Sequence, residues 1–126
     1  MSALDVTPHT RHIAGMIYKL LRSAEWAALQ ADGETAGAPI DVADGYVHFS
    51  TAEQVRETAT KHFAGADGLM LLAYDEATIT GELRWEPSRG GALFPHLYAP
   101  LRLADMVWAK PLPLGNNGHD FPDDLT

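Results

Sequence analysis

No cysteine occurs among the 126 residues, which excludes disulfides, thiolate zinc sites and cysteine nucleophiles and fits a reducing, cytoplasmic setting. Positive charge is scarce: 9 Lys and Arg stand against 17 Asp and Glu, a formal charge of −8. Such a surface repels phosphate backbones over long range, so general nucleic-acid binding is not expected, although a local basic pocket can still hold one small phosphorylated ligand. No long hydrophobic run is present. The longest, residues 69–74, is far too short to cross a bilayer, and residues 1–12 are too polar for a signal peptide. Also missing are a Gly-x-x-x-x-Gly-Lys phosphate loop, a Gly-x-Gly-x-x-Gly fingerprint and a Gly-x-Ser-x-Gly elbow. The histidines at 9, 12, 48, 62, 96 and 119 include no His-x-x-x-His pair, so no metal site is expected.

What remains is an ordinary globular composition, 46% hydrophobic and 9% aromatic, long enough for one domain with its own core. Residues 1–15 read as a flexible arm, residues 16–114 as a single globular domain, and residues 115–126, rich in Asn, Gly and Asp, as a frayed tail. Met16-Ile17-Tyr18-Lys19-Leu20-Leu21 has strand length, and Ser23 can cap a helix carrying Glu25, Trp26 and Leu29 and ending near Gly33. Residues 32–39, small and polar, read as a loop. Gly45-Tyr46-Val47-His48-Phe49-Ser50-Thr51 is a short strand with Tyr46, His48 and Ser50 on one face and Val47 and Phe49 on the other. Two overlapping capping boxes, Ser50 with Glu53 and Thr51 with Gln54, open a second helix reaching Phe63, with Val55, Ala59, His62 and Phe63 at core spacing. Residues 69–74, apolar throughout, predict a central buried strand. Residues 82–86 and 106–110 read as further strands, and Met70, Trp85 and Trp108 as core. Two helices with mainly strands predict an α+β domain around a small mixed, mostly antiparallel sheet.

The stretch 83–98 draws attention because it gathers Arg84, Glu86, Arg89, His96 and Tyr98 around Gly90-Gly91. A plain turn needs none of these, and it reads as a long loop forming one wall of a ligand site. Arginines suit bidentate capture of phosphate or carboxylate. His96, stiffened by Pro95 and shielded by aromatics, can move a proton near neutral pH, as can His48 beside the helix start at Ser50 and Thr51. Backbone donors at that helix start, with the two hydroxyls, can hold a phosphate. The bland alternatives are a strand histidine satisfied by a carbonyl, a histidine tying a loop down, and a salt-bridged strand edge.

Ile17-Tyr18-Lys19, Val47-His48-Phe49-Ser50-Thr51 and Arg84-Trp85-Glu86-Pro87 through Phe94-Pro95-His96-Leu97-Tyr98 resemble the bacterial domain of unknown function 952 family, over residues 16–111. The resemblance implies a fold like that of the ADP-ribosyltransferases and RNA 2′-phosphotransferases, with NAD as a candidate substrate and no firm cofactor. By motif it assigns ligand contacts to Lys19 and His48, with Ser50 and Thr51 behind them. Many relatives carry histidine at the position of Lys19, and a lysine there is a longer, fully charged donor. Transferases of the glutamate type also need a carboxylate, for which Glu86 is the nearest candidate. The expected site therefore holds His48, His96 and Glu86 as catalytic groups, and Lys19, Ser50, Thr51, Arg84, Arg89 and Tyr98 as ligand contacts. The function read from this is a nucleotide-type ligand pocket, NAD-like or phosphorylated, in a transferase of the ADP-ribosyl or 2′-phosphotransferase type. The alternatives are a non-catalytic binding domain and a protein-interaction domain using Phe94 and Tyr98.

Overall fold

The structure, a computed structural model, describes residues 15–125. Along them run β1 (Met16–Leu21), α1 (Ser23–Asp32), β2 (Glu34–Thr35), α2 (Pro39–Asp44), β3 (Val47–His48), α3 (Val55–His62), β4 (Leu69–Asp75), β5 (Glu82–Pro87), β6 (Leu93–Tyr98), β7 (Leu101–Arg102), β8 (Met106–Leu112), β9 (Leu114–Gly115) and β10 (Gly118–His119). The arm expected over residues 1–15 lies outside the described residues except for Gly15.

The unbroken apolar run becomes β4, the centre of an antiparallel sheet ordered β1-β4-β8. Both faces of β4 must therefore be covered. Leu69, Leu71 and Ala73, with Tyr18 and Leu20, pack under Val55 and Ala59 of α3 and Leu112. Leu72 and Tyr74, with Ile17 and Leu21, meet Leu29 of α1 and the apolar residues Val47, Phe49, Leu97 and Leu101. Val47 and Leu97 belong to a second antiparallel sheet, β3-β6-β5, so the first core cluster is shared by the two sheets. Their edges are joined where Tyr18 and Ser50 exchange backbone hydrogen bonds of 2.8 and 2.9 Å. Pro111 is tolerated in β8 because that strand is an edge.

An α+β architecture is thus present, with every strand pairing among the described residues antiparallel rather than mixed. Several local expectations change. The stretch 83–98 is not a loop but the hairpin of β5 and β6, closed by a turn in which Gly90 and Gly91 take φ of 65° and 83°, values that favour glycine. Pro95 sits in a central strand, at the point where pairing with β3 runs out. Its carbonyl accepts from Phe49 N at 2.9 Å, so its missing N–H falls on that same side, just past the last β3 ladder pair. Trp85 is not core: it is 38% exposed, and its indole N–H donates to Glu76. The expected loop at 32–39 contains β2 and leads into α2, a helix not foreseen from the sequence. Ser23 is the first helical residue rather than the cap of α1, whose N-cap is Arg22, with its backbone N–H held by Glu25. His62 is exposed rather than packed in the core. The tail from Gly115, expected to fray, carries the β9–β10 hairpin. His119 contacts the Ala66 carbonyl at 2.7 Å, and the Arg56 guanidinium lies over Phe121.

Candidate functional site

Strand alternation in the β3-β6-β5 sheet sends Val47, Leu97 and Leu83 to the core and leaves the opposite face polar. On that face His48 pairs directly with His96, and His96 with Arg84, while Glu86 lies diagonally beside His96. The two histidine rings stand 5.4 Å apart, edge to face. Tyr46 stacks on His96 at 4.2 Å and touches His48 at 4.6 Å and Tyr98 at 5.2 Å. The strand register therefore brings the two expected histidines together.

The two histidines have different partners. His48 Nδ1 lies 2.6 Å from Asp41 Oδ1 and Nε2 lies 3.0 Å from Asp44 Oδ2, so carboxylates occupy both of its nitrogens. His96 is 3% exposed, and its Nδ1 lies 2.7 Å from Glu86 Oε1. The same oxygen accepts the Tyr98 hydroxyl at 2.7 Å. The hydrogen bond from Tyr98, and next that from His96, lower the Glu86 pKa. The Tyr98 pKa moves up, chiefly because its proton is held by Glu86. His96 Nε2 has no hydrogen-bond partner among the described residues.

Behind His48 stands a residue that the sequence reading missed. α2 starts at Pro39, a good first helical residue because its absent N–H is not needed there. Asp41 sits at the third helical position and accepts Ala38 N at 2.7 Å. Instead of facing solvent, its carboxylate is buried and also receives Lys19 Nζ at 2.7 Å, His48 N at 3.0 Å and the His48 ring. Burial alone would raise its pKa, but the His48 bond and the Lys19 charge win and bring it from 3.8 down to about 2. Burial lowers the pKa of Lys19, and Asp41 opposes that. With Asp41 ionised at 2.7 Å the two form an ion pair. Lys19 Nζ also donates to the His48 carbonyl at 3.0 Å. Gly37, at φ 101°, allows this packing, since a Cβ there would collide with the Asp41 carboxylate. Pro at the start of a short helix, an acid two residues on and Gly45 at its end were the available signals.

Next to these groups opens a cleft of about 550 Å³, lined among others by Lys19, Arg22, His48, Ser50, Phe94 and His96. Ser50 Oγ lies 2.9 Å from Thr58 Oγ1. Thr51 does not line the cleft. It forms the expected capping box with Gln54, the two reciprocal bonds measuring 3.0 and 3.2 Å, whereas Ser50 turns to Thr58 rather than to Glu53. Glu86 and Tyr98 stand behind His96 rather than in the cleft. Arg84 lies at the exposed edge of the same sheet face, paired with Glu82 at 2.7 Å and stacked over Tyr98 at 4.4 Å. The side chain of Arg89 lies outside the described residues. Phe94 is buried, whereas Tyr98 is half-buried with its hydroxyl engaged by Glu86. No helix among the described residues is long and apolar enough to cross a membrane.

The family model described as protein of unknown function (DUF952) matches residues 20–109, a span that includes Asp41, His48, Glu86 and His96. No curated protein matches. Among solved structures, the crystal structure of protein CC0527 from Caulobacter crescentus is 45% identical, with a TM-score of 0.78 over 82% of this chain and 91% of that one. A crystal structure of a double mutant of that protein gives the same values. Its solution NMR structure gives a TM-score of 0.73 at 45% identity, over 82% and 90% of the two chains.

Proposed function

This chain belongs to the DUF952 family of proteins of unknown function, a membership that assigns no activity, and from the site itself we propose that the cleft binds a nucleotide-type ligand, NAD-like or otherwise phosphorylated, and transfers a group from it. The observation that carries this reading is His96. It is a buried, cleft-lining histidine with one nitrogen fixed by an ionised carboxylate and the other without a hydrogen-bond partner among the described residues, which is the arrangement of a general base with its orienting group. The resemblance to ADP-ribosyltransferases and RNA 2′-phosphotransferases supports the same class, as does the cleft position of Lys19. A cysteine-free chain is in keeping with work in the cytosol.

In this reading His96 Nε2 takes the proton from the attacking acceptor hydroxyl. The acceptor oxygen bonds to the ribose carbon as the bond from that carbon to the nicotinamide nitrogen breaks, its electron pair leaving with nicotinamide. Glu86 holds Nδ1 and orients the ring. Proton transfer belongs to His96 rather than His48, whose two nitrogens are already engaged. His48 and Asp41 instead fix Lys19, and Arg22 is the cleft-lining cation with no carboxylate partner among the described residues.

A non-catalytic binding role is the second reading. It is favoured by the carboxylates: Asp41 is spent on Lys19 and His48, and Glu86 on His96 and Tyr98, leaving neither to steady a developing ribosyl cation. Thermal-shift measurements with NAD, ADP-ribose and inorganic phosphate test the pocket, and stabilisation by none of them removes the nucleotide reading. Nicotinamide release then separates the two roles. A transferase shows release that falls about a hundredfold or more in His96→Gln, whereas a binder shows stabilisation without release.

A further inference from the structure

Lys19, Ser50 and His96 are buried where they line the cleft, whereas its rim carries an isoleucine, Ile40, that is 58% exposed. The position of Ile40 follows from its neighbours. Asp41, the next residue, is held inside by Lys19 and the His48 backbone, and Pro39 stiffens the step before. Helix α2 therefore cannot turn to bury Ile40, and the cleft keeps apolar area at its rim that a ligand can cover. Arg22, from the start of α1, lines the same cleft and is exposed. Its backbone N–H is held by Glu25 at 2.9 Å, and its guanidinium lies 4.6 Å from the centroid of the Phe63 ring. Phe63 caps the end of α3, lines the cleft as well, and packs against the core cluster that includes Val55 and Ala59. The guanidinium thus rests on a ring that the core supports. A guanidinium is planar and stacks on aromatic rings through its faces. With one face on Phe63, the other is left for a ring brought by a ligand.

We infer that Arg22 and Ile40 hold the planar aromatic base of the ligand, stacked on the guanidinium that Phe63 supports and covered by the isoleucine. This rests on the nucleotide reading and deepens it by placing a ring, adenine or nicotinamide, at the rim of the cleft. A flexible apolar chain would use Ile40 and gain nothing from a planar cation. A phosphate would use Arg22 and gain nothing from an isoleucine. A flat ring is served by both, since its π face attracts the cation and its apolar area leaves water against Ile40.

Calorimetric titration of wild type, Arg22→Lys and Ile40→Ser with NAD and ADP-ribose tests this. Both side chains are exposed, so neither change opens the core, and thermal melts of the three proteins check that all are folded. Arg22→Lys keeps the charge but loses the planar face, and NAD affinity is expected to fall about fivefold. Ile40→Ser removes the apolar cover, and a fall of about the same size is expected. An equal fall for ADP-ribose, which has no nicotinamide, assigns the ring to adenine, and a fall confined to NAD assigns it to nicotinamide. Unchanged binding of both ligands in either variant overturns the inference while leaving the nucleotide reading in place. Sensitivity at Arg22 alone would mark a phosphate contact, and sensitivity at Ile40 alone an apolar contact without a stacked ring. Failure of both NAD and ADP-ribose to bind wild type overturns the two readings together.

Discussion

The two sheets each have three antiparallel strands, yet they do opposite work. In β1-β4-β8 the central strand is apolar on both faces and is covered on both, so its side chains have no access to a ligand. In β3-β6-β5 one face joins the shared core and the other carries His48, His96, Arg84 and Glu86. Stability in the first sheet comes from apolar burial. On the polar face of the second it depends on buried charges that stabilise only as a complete set, because any one left without its partners is costly. The comparison teaches where substitution is informative: the first sheet reports on folding, the second on folding and chemistry together. Lys19 is the exception, a polar residue of the first sheet that belongs functionally to the second.

That contrast can be broken or sharpened by measurement. The largest effect is expected at Asp41. Asp41→Ala leaves the Lys19 ammonium buried without its counter-charge, and removes acceptors from Ala38 and His48. A loss of about 3–5 kcal/mol is expected by chemical denaturation; a loss below about 1 kcal/mol would mean that the polar network is not a structural unit. The next effect is one of pH. The Asp41 pKa is depressed in the folded state, from 3.8 to about 2, so its contribution is fully present above pH 3.8 and is lost as pH falls through the folded value. Acid unfolding should therefore show about 2 kcal/mol of stability disappearing across that window, a component missing from Asp41→Asn. The smallest effect belongs to Trp85. It lies on the half-exposed outer edge and is held by one bond to Glu76, so Trp85→Ala should cost about 1 kcal/mol or less and leave ligand binding unchanged.

Much of this was legible in the residues, for identifiable reasons. The apolar run at 69–74 could only be a covered central strand, and alternation in Tyr46-Val47-His48-Phe49-Ser50 correctly divided core from polar face. The convergence of His48 and His96 followed from motifs rather than from any local rule, and it is the β3–β6 register that realises it. The hairpin was read as a loop because Pro87, Gly90, Gly91 and Pro95 all signal turns, and the tolerance of Pro95 depends on where β3 ends, a tertiary fact. Asp41 was missed because an acid in the first turn of a short helix normally faces solvent. Only the fold shows that α2 turns it inward onto Lys19. The unequal state of the two histidines was likewise invisible, since it depends on which carboxylates reach which nitrogens.

The central claim is that His96, not His48, is the histidine open to a ligand. The most direct measurement is a titration of the protein, with ¹⁵N-labelled histidine, by NAD, following the imidazole nitrogens by NMR. The expected result is that the His96 Nε2 resonance moves as NAD saturates while both His48 nitrogens stay where they are, held by Asp41 and Asp44. Movement of His48 with His96 unchanged, or saturation with neither ring affected, would contradict the account.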